Sequence, residues 1–251
     1  MKAAESKPRD YSIFDKFNFE RKPVGVKFLI TRPEGIRRLD KELNFCEMLK
    51  EAQESAPFYV GKGDFQCIEP LLLGMEDAEP VLVSGLFGAS DGLFKEARAN
   101  RKLYQYFPKM LKGSVNYVAF SPIDQLTFDP DILVITANIG QAQTVLRSIC
   151  YSTGDIWSSK GTPVAACSWI YIYPVLTGEM NFSITGLGLG MQALGIFPEG
   201  LFLISVPWNL LPTMIENLQE MKLGPRPIEG GDAHRKRVKK MREELKQKIQ
   251  K

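Results

Sequence analysis

The chain of 251 residues holds one histidine, His234, and it lies in a basic C-terminal segment beyond a Gly-Gly pair. Catalytic triads, histidine-rich zinc sites and histidine general bases are therefore excluded from the body of the protein. Cysteine is scarce as well. Four residues at uneven spacing cannot build a disulfide framework, which points to a reducing, cytoplasmic setting. Long apolar runs are also missing. The longest, such as Leu71–Leu73 and Leu201–Val206, fall far short of the roughly 20 residues that span a bilayer, so no transmembrane segment is expected. The first ten residues, Met1 to Asp10, lack the apolar centre of a signal peptide.

Two nucleotide motifs are missing or degenerate. No G-x-x-x-x-G-K-[ST] loop occurs, which removes P-loop chemistry. Gly188-Leu-Gly190-Met-Gln-Ala193 satisfies G-x-G-x-x-A in form only. Gly195 and Pro198 cut the following helix short, and the next strand ends in Ser205-Val-Pro207 with no acid for a ribose. No nucleotide cofactor is implied. The segment reads first as a turn with close backbone packing. A small-molecule or anion-binding role for Gly186, Gly188 and Gly190 stays open as the alternative.

Charge is unevenly spread. Residues 233–251 carry nine Lys/Arg and two Glu, or +7, so the net +3 of the whole chain leaves −4 on residues 1–232. A body of that sign argues against a nucleic-acid partner. In the tail, Val238, Met241, Leu245 and Ile249 form a narrow apolar stripe on a cationic helix. Docking on the body or a subunit (a non-catalytic interaction protein), an anionic membrane surface, nucleic acid, and a plain solvated, partly frayed helix are the readings of such a segment, with docking or solvation favoured. Without aromatic residues between the charges, the nucleic-acid reading is the weakest. A homo-oligomer is compatible with this composition.

Secondary structure is legible in the body. Val24–Ile30, Phe58–Val60, Val115–Phe120, Asp131–Thr136, Asn181–Thr185 and Leu201–Val206 read as strands, with Val164–Cys167 and Ile170–Tyr173 as two more. Helical periodicity covers 45–56, 93–107, 139–150 and 211–221. The intermixing predicts an α+β or mixed α/β fold, a single compact domain with a mixed sheet over residues 23–225. A loosely packed arm, residues 1–22, precedes it, and a linker with a basic helix follows over 226–251.

Three cysteines stand at predicted element ends. Cys46 lies at the first turn of a helix, where a thiolate is favoured. Cys67 lies in Asp64-Phe-Gln-Cys-Ile-Glu-Pro70, and Cys167 ends Val164-Ala-Ala-Cys. Cys150, on the apolar face of its helix, reads as core. The intervals of twenty and ninety-nine intervening residues match no C-x-x-C knuckle, and three buried hydrophobes remain the plain alternative.

Around these cysteines the chain resembles the uncharacterised family called domain of unknown function 169, over about residues 23–220. The resemblance rests on Pro23-Val-Gly-Val-Lys-Phe28, on Phe45-Cys46 with Ala52, and on Cys67 with Leu73-Gly74. It continues through Pro130-Asp131, Gln141-Ala142, Ala166-Cys167, and Pro174 with Gly178 and Asn181. It implies that the cysteines occupy recurrent positions, with a further cysteine of the relatives falling near Gly186. A cluster here would then have three protein thiolates, one iron being left open or capped from elsewhere. Three thiolates with little histidine suit an iron–sulfur centre better than zinc. Cys46, Cys67 and Cys167 are thus the expected metal ligands, with an unidentified small molecule or redox partner. A redox or nucleophilic pair, Cys46 with Cys67, is the rival within the same chemistry.

Overall fold

A computed structural model describes residues 10–221 and 231–249. Its centre is a seven-stranded sheet of β1 (Val24–Leu29), β2 (Arg37–Arg38), β3 (Phe58–Gly61), β4 (Tyr117–Pro122), β5 (Ile132–Ala137), β6 (Asn181–Ile184) and β7 (Phe202–Pro207). The order is β2-β3-β4-β1-β5-β7-β6. Only β2 and β3 pair in parallel, and every other neighbour is antiparallel. The helices are α1 (Phe45–Glu54), α2 (Glu69–Leu72), α3 (Pro80–Val83), α4 (Leu86–Ser90), α5 (Ala97–Leu103) and α6 (Ile139–Cys150). They continue with α7 (Tyr173–Thr177), α8 (Leu189–Ala193), α9 (Leu211–Glu220) and α10 (Gly231–Ile249). The mixed α+β class is as the sequence implies.

Successive strand residues point to opposite faces, and β5 shows what that does here. Ile132 and Val134 enter one core, with Phe58, Val60, Val118 and Phe120 of the neighbouring strands and Phe45, Met48 and Leu49 of α1. Leu133 and Ile135 enter a second core, with Ile204 and Val206 of β7, Val145 and Leu146 of α6, and Met214 and Leu218 of α9. Both faces of β5 are dry, which explains its unbroken apolar run. Ile13 and Phe14 join the second core at 3% and 2% exposure. The described part of the arm, residues 10–22, therefore packs more tightly than its polar composition suggests.

Two expected elements differ. Val164–Cys167 and Ile170–Tyr173 are not strands: Ser168–Ile172 is a π-helical turn that runs into α7. Pro174 has no N–H to give to a carbonyl one turn back. The Tyr173 N–H reaches Ser168 instead, and the turn widens. The helix expected over 93–107 is confined to Ala97–Leu103. Gly92 takes φ +74°, and the N–H groups of Leu93 and Phe94 both turn back to the Gly88 carbonyl. Leu93 is left 38% exposed instead of facing inward.

The tail is helical as expected, but α10 buries none of its side chains. Met241 and Leu245 stay about half exposed, so the apolar stripe is not covered by the described residues. The expected linker at 226–230 lies outside the described residues.

Phe120 shows what the first core is worth. Fully buried, it meets Phe58 at 5.2 Å and Phe45 at 5.6 Å between ring centroids. Phe120→Ala is expected to lower unfolding free energy by about 3–5 kcal/mol in urea titrations. A loss under about 1 kcal/mol would mean this core is not the one that holds the sheet.

Candidate functional site

The segment entering α1 is held by its own side chains. The Asn44 backbone N–H donates to Glu47 Oε2 at 2.9 Å, and Asn44 Nδ2 donates to the same oxygen at 2.7 Å. Such a reciprocal cap fixes the first helical turn and with it Phe45 and Cys46. The Phe45 N–H, one of the amides a helix start leaves without an intrahelical partner, donates to Cys67 Sγ at 3.2 Å. One hydrogen bond thus ties α1 to the segment that leads into α2. Phe45 stacks against Tyr171 of the π turn at 4.2 Å between centroids, which brings the third stretch of chain alongside.

Cys46, Cys67 and Cys167 consequently line one cavity of about 410 Å³, together with Glu69, Ala165, Ala166, Gly188 and Gly190. The two features singled out separately in the sequence, the cysteines and the glycine-rich turn, share this space. Gly186 does not. It lies off the lining, and a Cβ there would meet Glu199 at 3.3 Å. Gly188 sits where a Cβ would come within 3.0 Å of Ala166 Cβ, so the glycine allows the two walls to touch. Ala165 holds φ +51°, a left-handed conformation that L-residues enter only at a cost. The Ser168 N–H and hydroxyl both donate to its carbonyl and keep the bend before Cys167.

These cysteines are not set apart from the core, as their positions at element ends suggest. Cys46 and Cys167 are buried members of the first core, and Cys67 packs against it. Cys150 differs in the other direction. It is only half-buried, at the end of α6, where the Trp157 indole N–H donates to its sulfur at 3.1 Å. It takes no part in the cavity.

Electrostatically the cavity is one-sided. Its lining contains three thiols and the carboxyl of Glu69, and no lysine, arginine or histidine. Burial pushes the Cys67 thiol far up, aided by the adjacent charge and hydrogen bond of Glu69, and the Phe45 amide pulls weakly the other way. Cys167 is raised well above the ordinary thiol range by its hydrogen-bonded neighbour Cys46, by burial and by nearby acids. Burial raises Glu69 too, opposed by hydrogen bonds from Cys67, its own backbone and Cys167. Tyr171, 1% exposed, is raised by burial and by the same four groups. Its hydroxyl has no hydrogen-bond partner among the described residues. An unpaired buried hydroxyl costs about 1–3 kcal/mol. Tyr171 itself is not part of the cavity lining.

Among the described residues, no group of three or more His, Cys, Asp or Glu is arranged to hold a metal ion. Glu69 and Tyr171 went unrecognised in the sequence. The signal for Glu69 was there: a lone acid inside the apolar stretch Ile68–Leu73, just after Cys67.

A mixed-sheet α+β protein with a thiol-and-carboxyl cavity on one sheet face is the class these features define. The chain belongs to the family DUF169, described as Uncharacterised ArCR, whose model matches residues 12–217. The match begins at Ser12 and so takes in the buried Ile13 and Phe14. A relative in Methanocaldococcus jannaschii, the uncharacterized protein MJ0308, is 23% identical over 194 residues, covering 76% of this chain and 82% of that protein. No solved structure matches the chain.

The Glu69 environment has a signed consequence. Its folded-state pKa lies above that of the unfolded chain, so the folded state keeps the proton longer. The associated stability is complete at pH values below the usual glutamate range. It is lost as pH rises through the raised value. Thermal unfolding midpoints of the wild type should therefore fall relative to Glu69→Gln as pH is raised from acidic toward neutral. Parallel profiles for the two proteins would show that Glu69 is not buried in its protonated form.

Proposed function

We propose that the Cys46–Cys67–Cys167 cavity holds a thiolate-ligated cofactor of the iron–sulfur type, in a protein of the reducing cytoplasm. The observation that carries this reading is the sign of the lining: three thiols, one carboxyl and no cation. Empty, such a site favours the protonated forms of Cys67, Cys167 and Glu69, because the Cys46 hydrogen bond (for Cys167) and burial oppose their ionisation. A polycationic body reverses that balance, releases the protons and makes the thiolates its ligands. The three cysteines line one space of about 410 Å³, room enough for a multi-atom cluster. Glu69 is the side chain best placed to complete a three-cysteine set, as an oxygen ligand or a hydrogen-bond partner.

A second reading uses the same atoms without metal. Cys167 is the hydrogen-bonded neighbour of Cys46, while Cys67 is engaged by the Phe45 amide and Glu69. A dithiol–disulfide pair is therefore better assigned to Cys46 and Cys167 than to Cys46 and Cys67. Closing that bond would send two electrons and two protons to an external disulfide.

Anaerobic purification followed by visible spectroscopy and iron and sulfide analysis separates the two. The expected result is a brown protein with iron and acid-labile sulfide, both lost in Cys46→Ser, Cys67→Ser and Cys167→Ser. Colourless, iron-free protein, before and after reconstitution with ferrous iron and sulfide, would overturn the cluster. In that case a loss of two free thiols on mild oxidation, abolished by Cys46→Ser or Cys167→Ser but not by Cys67→Ser, would establish the dithiol.

A further inference from the structure

The opposite sheet face carries a second cavity of reversed character. Tyr59 lies between Phe58 and Val60 in β3, and its side chain points away from the core those two enter. Around it, Arg32, Arg38, Lys62, Asn116 and Tyr117 line a space of about 430 Å³. No carboxylate lines it. This concentration of positive charge occurs in a body whose net charge is −4 over residues 1–232, the whole-chain +3 less the +7 of residues 233–251.

The cations are set in place by groups behind them. Asp64, nearly buried, receives Arg38 Nη2 at 2.8 Å and Nε at 3.2 Å, and also accepts the Gly61 N–H at 2.7 Å. A guanidinium held along one edge presents its remaining N–H groups in a fixed plane, the geometry that receives an oxyanion. Arg32 is poised with its guanidinium 5.5 Å from the Tyr59 ring centroid. Among the described residues it has no carboxylate at ion-pair distance. Lys62 reaches Glu76 only at 3.5 Å and keeps 60% of its side chain exposed. Tyr59 and Tyr117 meet edge to face at 5.8 Å and give the cavity an aromatic wall.

We propose that this cavity is a binding site for a small phosphate-bearing molecule. Arg32, Arg38 and Lys62 take the oxyanion, and Tyr117, half-buried over the closed-in Tyr59 ring, takes the organic portion attached to it. The site is independent of the thiol cavity, which lies on the other face of the sheet.

Calorimetric titration of the full chain with inorganic pyrophosphate at low ionic strength tests this, since screening hides such contacts at high salt. Saturable binding is expected, weakened about tenfold in both Arg32→Ala and Lys62→Ala, the loss of one charge-assisted contact. Arg37→Ala should bind like the wild type. Arg37 stands next in sequence to Arg38 but outside the lining, over the Phe58 ring. Neither Arg32 nor Lys62 is buried, so both variants are expected to keep the wild-type unfolding midpoint. Absence of saturable binding, or wild-type affinity in both cavity variants, would overturn the site. Equal weakening in Arg37→Ala would overturn it as well, by showing a general surface attraction.

Discussion

Four ionisable acids packed side by side, with no base among them, impose the constraint around which the first face of this protein is arranged. Cys46, Cys67, Cys167 and Glu69 cannot all ionise in a dry space without a positive partner, and the chain supplies none in the lining. Bringing them together has a cost that the surrounding core must offset. It is offset locally, by the dense aromatic packing of Phe45, Phe58, Phe120 and Tyr171 around the start of α1. The lining gives these groups no counter-charge. Burial accordingly raises Cys67 and Glu69, and the Cys46 hydrogen bond together with burial raises Cys167.

The fold was legible where burial is two-sided or strictly periodic. β5 and α6 carry an apolar run and a helical stripe that no other element type would fit, and the structure keeps them at nearly the expected bounds. The sequence misleads where local propensity and tertiary demand part. Ser168–Ile172 holds β-favouring residues, yet Pro174, without an N–H, and the bend at Ala165 place it in a π turn. Of the cavity lining, the three cysteines and two of the three glycines stand out in the sequence. Their convergence does not, since it depends on long-range pairing that leaves no trace in spacing. Glu69 was overlooked for a simpler reason. A single carboxylate is usually a solvated group, and only the coordinates show this one to be 3% exposed.

The sheet keeps two opposite electrostatic environments apart. On one side lies a cavity of acids, on the other a cavity of cations backed by Asp64. The chain runs between them with few intervening residues: Tyr59 faces the basic side, Asp64 anchors Arg38, and Cys67 lines the acidic side. The turn Lys62–Asp64 is therefore shared by both environments, and its buried carboxylate is the pivot that lets one short segment serve each face.

The shape of the sheet margin matters in a different respect. β2 is two residues long, exposed, and consists of Arg37 and Arg38. An open margin of a sheet invites another strand to add to it, and brevity and positive charge are the usual defences. Two copies approaching through this margin would set arginine against arginine over a hydrogen-bonding frontage too small to repay the repulsion. Fibrillar growth from the β2 side is thus discouraged by the same residue, Arg38, that the basic cavity employs. A change there to relieve one demand would compromise the other.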